Sequence, residues 1–393
     1  MSRIDALIAE LCPEGVGFKE LQELFIIKNG YTPSTANKAY WADGTVPWFR
    51  MEDIRKNGRM LSESLQRITE DAVKGGRLFP ANSIIISTLA TIGEHALITV
   101  PHLANQQLTS LSLKDEFIER LDMKFVFYYC FQLAKWCRDH TNSASLASVE
   151  MNGFKKFRFP IPPLEAQREI VKVLDTFTEL EAELEAELEA RRRQYHHYRD
   201  ALLSFDGRED VRWATLGELC QINRGRVISK DYLREHAGPY PVYSSQTANN
   251  GIFGFIKSYD YDCESITWTT DGANAGSVFY HYGEKFSITN VCGLLKVLDY
   301  DEVITKFLYY ELGQITNKYV SDGMGNPKLM SNVMSQIRVP IPPLAIQRDI
   351  VAILDRFDAL VNDLSSGLPA EIAARRQQYE HYRNRLLTFR EAS

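Results

Sequence analysis

Two groups of polar side chains stand out, one in each half of the 393-residue chain. The first gathers Lys28, Asn29, Tyr31 and Thr32, then Arg50, Glu52 and Arg55, then Asn105 and Gln106. The second gathers Asn223, Arg224 and Arg226, then Ser244, Ser245 and Gln246, then Thr270, Asp271 and Asn274, with Lys328 farther on. Arginine, asparagine and glutamine carry paired donors and acceptors that match guanine and adenine edges. Lysine, serine and threonine suit phosphate oxygens. The chemistry open to these sets is recognition of duplex DNA. Asparagine, glycine and serine in loops also serve as turn formers. Trp48 and Trp268 are expected in the core rather than as stacking platforms.

Local signatures of catalysis do not accompany them. There is no N-P-P-Y or D-P-P-Y tetrapeptide, no G-x-x-x-x-G-K-[ST] phosphate loop, no H-E-x-x-H and no nucleophile elbow. Six cysteines are scattered without C-x-x-C spacing, so they are expected as reduced core thiols and no metal site is expected. The chain reads as non-catalytic. A stand-alone DNA-modifying enzyme with degenerate motifs and a coiled-coil adaptor are the competing classes. No run of about 18 apolar residues and no signal-peptide pattern occurs, so a cytoplasmic protein is expected.

The net charge of −6 is at face value wrong for a DNA ligand. Its distribution changes that picture. Residues 1–158 carry 19 basic and 18 acidic side chains, whereas 159–205 carry 6 and 10, six of the acids being glutamates between Glu179 and Glu189. The acidity is thus concentrated in a tetrapeptide run, T-E-L-E-A-E-L-E-A-E-L-E-A, at 178–190. Charge neither supports nor excludes DNA.

The elements that must position the polar groups are written twice. F-P-I-P-P-L-E-A-Q-R-E-I-V-K-V-L-D-T-F-T-E-L at 159–180 matches V-P-I-P-P-L-A-I-Q-R-D-I-V-A-I-L-D-R-F-D-A-L at 339–360 in 13 of 22 positions. A-R-R-R-Q-Y-H-H-Y-R-D-A-L-L-S-F at 190–205 matches 374–389 in 11 of 16. Each copy follows a Pro-Pro pair with apolar residues at helical spacing. The first predicts one helix of roughly 43 residues, about 64 Å long. In the second, Gly367-Leu368-Pro369 predicts an interruption. Two such helices pack most simply as an antiparallel coiled coil. Before them, Phe18-x-x-Leu21-x-Glu23-Leu24 corresponds faintly to Trp213-x-x-Leu216-x-Glu218-Leu219, and Gly30 then falls on Gly225. Strands are expected at 82–87 and 264–269, and helices at 121–136 and 303–312.

This plan resembles the DNA-specificity subunit of type I restriction–modification systems. The resemblance rests on P-I-P-P-L with Q-R-x-I-V at 160–171 and 340–351, and on R-R-x-Q-Y-x-x-Y-R-x-x-L-L-x-F at both helix ends. It is supported by G-Y-T-P-S, V-P-W-F-R-M-E-D-I, Y-P-V-Y-S-S and G-I-F-G-F-I, and the tetrapeptide run is similar to that of one subfamily. It implies an α+β chain with a pseudo-twofold internal repeat. Two mixed α/β target-recognition domains, 1–158 and 207–338, would alternate with helical spacers at 159–206 and 339–393. It further implies two docked modification subunits carrying adenosylmethionine, restriction subunits using ATP and Mg, and no cofactor on this chain. Candidate partner-subunit contacts are Gln167, Arg168, Arg192, Tyr195, Tyr198 and Arg199, with Gln347, Arg348, Arg376, Tyr379, Tyr382 and Arg383 in the second copy. The tetrapeptide run would act as a ruler. Each unit adds about 6 Å and turns roughly 40° beyond a full turn, against about 3.4 Å and 34–36° for a base pair.

Overall fold

The computed structural model describes residues 6, 9–10, 13–142, 147–321, 325–363 and 365–392. The chain divides into two compact units, Met1–Leu184 with Ile372–Ser393, and Glu185–Glu371. The division falls within the helical regions, so each unit owns one mixed domain and two helix segments.

In the first unit, a five-stranded sheet runs in the order Phe25–Asn29, Leu108–Leu113, Ser83–Ser87, His95–Ile98, Met60–Leu61. A three-stranded sheet has the order Arg67–Ile68, Val46–Phe49, Leu103–Ala104. The S-I-I-I-S strand is buried at all five positions, as an unalternating β-branched run in mid-sheet should be. Helix α1, Met123–Asp139, opens on the Asp122 carboxylate, which accepts from Lys124 N at 2.8 Å. Its Phe125, Tyr128 and Tyr129 join Phe25, Phe154 and Phe159 in an aromatic core. His95 lies buried beneath this helix, its ring nitrogens near the carbonyls of Gly93 and Phe127. Burial holds its pKa down at about 3, so the ring is neutral.

In the second unit, a four-stranded sheet follows the order Cys220–Arg224, Cys292–Val297, Ser265–Thr269, Val278–His281. Its three-stranded sheet is Ile252–Ile256, Tyr240–Tyr243, Ser287–Ile288. Trp48 and Trp268 are both core residues, 5% and 0% exposed. The expected strands at 82–87 and 264–269 and both expected helices are present within a few residues.

The two domains share register as well as strand order. Asn29 faces Thr109 and Arg224 faces Gly293. Ser87 faces Leu108 and Thr269 faces Cys292. Phe49 pairs in parallel with Ala104, and Tyr243 with Ile288. At the domain base, Gly17 pairs with Ile161 and Arg212 with Ile341. Both sheets are one fold, and the first adds a short fifth strand.

Helix α2 spans Leu164–Leu202, 39 residues without a break, somewhat shorter than the periodicity predicts. The chain leaves helical geometry ahead of Gly207, whose φ is 75°. The second helical region is interrupted as expected. Helix α4 (Leu344–Asn362; α3 is Thr305–Ile315) stops before Asp363, and helix α5 begins at Leu368. The Asp363 carboxylate accepts from Ser365 N at 2.7 Å and Ser365 Oγ at 2.6 Å, holding its pKa down at about 2. Within the first unit the helices run antiparallel: Phe177 meets Tyr382 and Tyr379, while Glu181 meets Arg376. Within the second, Phe357 of α4 packs on Tyr195 and Tyr198 of α2.

Among the described cysteines Cys130, Cys137, Cys220 and Cys292 are buried and Cys263 half-buried, all free; Cys12 lies outside the described residues. Among the described residues no helix is long and apolar enough to cross a membrane.

Candidate nucleic-acid interface

One short loop organises each candidate face. In the first domain it is Asn105–Gln106–Gln107, between strands of the two sheets. Asn105 N donates to Phe49 O at 3.0 Å, Thr88 N to Gln107 O at 3.0 Å, and Gly30 N to Leu108 O at 2.8 Å. In the second domain Thr289 N donates to Tyr243 O at 2.9 Å, Thr270 N to Val291 O at 3.1 Å, and Gly225 N to Cys292 O at 3.3 Å. The bonds match one for one, so Thr289–Asn290–Val291 is the counterpart of 105–107. The glycines are obligatory. A Cβ at Gly30 would lie 2.2 Å from Ala104 O, and one at Gly225 2.2 Å from Ile288 O.

Some of the predicted residues touch these loops and others lie apart from them. Thr32 donates its hydroxyl to Gln106 Oε1, and Asn29 Oδ1 accepts from Thr109 Oγ1 at 2.9 Å. Asn105 Oδ1 accepts from Gln107 N at 3.2 Å. Arg50 lies 5.5 Å over the Trp48 ring and 3.3 Å from Glu52. Glu52 also accepts from Lys56 at 2.6 Å, which lowers its pKa. Thr32, Lys38, Trp41, Trp48, Arg50 and Gln66 line a cavity of about 470 Å³. Tyr31 turns its hydroxyl inward, donating to Ala72 O and accepting from Lys74 N. Lys28 and Arg55 are exposed.

In the second domain Arg224 Nη2 donates to Asn290 O at 2.7 Å, and Ser244 Oγ accepts from Thr289 Oγ1 at 2.9 Å. Thr270 is wholly buried, its hydroxyl given to Asp271 at 2.7 Å, and Asp271 lies 3.7 Å from Lys328. Arg226 pairs with Asp260 at 3.0 Å over the Tyr232 ring. Gln246 turns back to Ile252 O, and Asn274 accepts the Thr269 hydroxyl at its own carbonyl. Asn223 and Ser245 are half-buried. Asn290, exposed at the loop tip, was missed because S-I-T-N-V-C shares no residue with L-A-N-Q-Q-L.

Several expected partner-subunit contacts face inward instead. Gln167 is fully buried; it accepts from Asp122 N at 2.8 Å and donates to Arg120 O at 2.8 Å and Pro162 O at 2.7 Å. Gln347 repeats this with Ile304 N at 2.8 Å, Glu302 O at 3.0 Å and Pro342 O at 2.7 Å. Each amide is spent on its own unit, which removes both from the expected docking face. Tyr195 is buried in the helix pair and Tyr379 half-buried, while Arg383 stacks 4.1 Å over Phe131. Arg168, Arg192, Tyr198, Arg348, Arg376 and Tyr382 are exposed; Arg199 is half-buried beside Asp200.

A repeated polar clamp also escaped the sequence reading. Tyr128 donates to Asp175 Oδ1 at 2.7 Å and Lys124 to Oδ2 at 2.7 Å; Tyr310 and Lys306 hold Asp355 at 2.6 and 2.8 Å. Burial raises both phenol pKa values. Lys-x-x-x-Tyr at 124 and 306 was the available signal.

Two equivalent frames with unlike polar loops, each built onto paired helices, define a class: a duplicated recognition scaffold. The profile described as type I restriction modification DNA specificity domain matches twice, over residues 13–190 and 208–374. The chain belongs to that family. It is 43% identical over 362 residues to the Escherichia coli type I restriction enzyme EcoprrI specificity subunit, covering 88% of each chain. It is 34% identical over 311 residues to the Mycoplasma pneumoniae type I restriction enzyme MpnII specificity subunit, covering 63% of this chain and 93% of that one. In fold it matches the S subunit of a type I restriction–modification system from M. genitalium, with TM-score 0.57 and 18% identity over 94% of this chain and 96% of that one. A second solved chain, from a study of type I complex assembly and conformational transition, gives TM-score 0.65 at 17% identity over 95% and 98%.

Proposed function

We propose that the two domains, 1–158 and 207–338, each read one half of a bipartite duplex site. The single observation carrying this is the shared loop frame, filled by Asn29, Arg50 and Gln106 in one domain and Arg224, Ser244 and Asn290 in the other. One backbone geometry with different base-reading groups suits two unrelated sequences on one duplex. The helical regions 159–206 and 339–393 set the spacer and dock two modification subunits through Arg168, Arg192 and Tyr198 and their counterparts Arg348, Arg376 and Tyr382. Adenosylmethionine acts on those partners, with ATP and Mg used by restriction subunits, all in the cytoplasm. Because the chain is acidic, phosphate binding falls largely to the partners, and duplex binding by this chain alone is salt-fragile.

Co-expression with its modification subunit in a methylation-free host should give one bipartite adenine motif; random or absent modification would overturn the reading. The tetrapeptide run supplies a second test. Deleting Glu187–Ala190 should shorten the unspecified spacer by about one base pair with both half-sites intact. A deletion that changed the bases read, and not their spacing, would refute the ruler.

A further inference from the structure

Asn290 and Gln106 occupy the same point of the same frame. Each is the middle residue of a three-residue loop whose neighbours are fixed by backbone bonds to Tyr243 and Thr270, or to Phe49 and Thr88. Each lies beside a glycine that admits the loop backbone where no side chain could stand. Both are exposed and both carry a carboxamide, although the surrounding residues differ. Among the described residues, the Asn290 amide makes no hydrogen bond; Gln106 uses one lone pair of Oε1 on Thr32 and keeps its NH2 free. A rigidly held loop whose carboxamide keeps its NH2 and at least one acceptor lone pair open is what base reading requires.

We propose that Asn290 is the adenine-reading residue of the second domain and that Gln106 plays the same part in the first. The inference rests on the half-site reading above. The carboxamide oxygen accepts from adenine N6–H while its NH2 donates to N7. Arg224 braces the loop through one Nη2 bond to the carbonyl of Asn290, and among the described residues its other N–H donors stay open to the duplex.

The test maps methylated adenines made by the specificity chain with its modification subunit, comparing wild type with Asn290→Ala and Gln106→Ala. Asn290→Ala should lose discrimination at one position of the second half-site by about 5- to 150-fold, leaving the first half-site sharp. Gln106→Ala should do the reverse. If wild type shows a bipartite motif but Asn290→Ala leaves the second half-site unchanged, or relaxes the first, the inference fails while the half-site reading survives. If wild type shows no bipartite motif, the half-site reading itself fails. Should Asn290→Ala abolish methylation, competition binding of that complex with singly substituted duplexes decides. Indifference confined to one second-half position supports the assignment, and equal weakening for all duplexes marks a structural role and refutes it.

Discussion

In the first unit Phe131 of α1 packs edge-on against the His95 ring, and Arg383 stacks 4.1 Å above the Phe131 ring. The same place in the second unit holds Gly313, and Arg199, the counterpart of Arg383, lies instead 5.8 Å over the Tyr195 ring and beside neighbouring Asp200. A cleft of about 350 Å³ opens there, bordered by Tyr195, Arg199, Gly313 and Asn317. Core positions diverge as well. Ser83 pairs with Ile98 in one sheet and Ser265 with His281 in the other, where His281 is bonded to Glu284 and Thr267. By contrast the Gln167/Gln347 locks and the Asp175/Asp355 clamps are the same in both units. Attachment of domain to helix is therefore constant, and the packing above it is free to differ.

The largest effect should come from the locks. Gln167→Ala or Gln347→Ala strands three backbone groups in a buried site, at a cost of roughly 3–5 kcal/mol. Urea unfolding should show similar losses for the two variants; a marked inequality would break the equivalence of the units. The next test should separate them by sign. Phe131→Ala removes a partly buried ring beneath Arg383 and should cost about 2–3 kcal/mol. Gly313→Ala should stabilise by about 0.5–1 kcal/mol, since its Cβ would meet only Val278 Cγ2 at 4.0 Å. Destabilisation by Gly313→Ala would show that the cleft does not tolerate filling.

A pH dependence of opposite sign also separates the two units. His95 titrates at about 3 in the fold against about 6.5 when unfolded. Below pH 6.5 the unfolded chain binds the extra proton, so the first unit loses stability as pH falls from 6.5 toward 3. Glu311 of α3 is buried with Oε2 unpartnered, and desolvation raises its pKa to about 7 from an ordinary 4.5. Between 4.5 and 7 the folded state holds the extra proton, so the second unit loses stability as pH rises through that window. Glu311→Gln should thus raise the unfolding midpoint at pH 8 more than at pH 5, and a pH-independent change would contradict this assignment.

The sequence by itself determined the duplication, the long unbroken α2, the break at Gly367 and the buried strands at 83–87 and 265–269. These are local properties: spacing of apolar side chains, β-branched runs, and the rigidity of proline and freedom of glycine act within a few residues. It also picked out the Asn105–Gln106 segment, Asn29 and Arg224, which the structure brings to the two short loops. Only the tertiary structure decided that Asn290 answers Gln106, that Gln167 and Gln347 turn inward, and that Thr270 is buried. The loops are fixed by N–H and C=O groups of Phe49, Thr88, Tyr243 and Thr270, and backbone groups are the same whatever residue carries them. Apart from the Gly30/Gly225 and Thr88/Thr270 pairs, equivalence written in backbone bonds leaves little trace in side-chain identity, so the match of the two loops became visible only when distant segments were brought together.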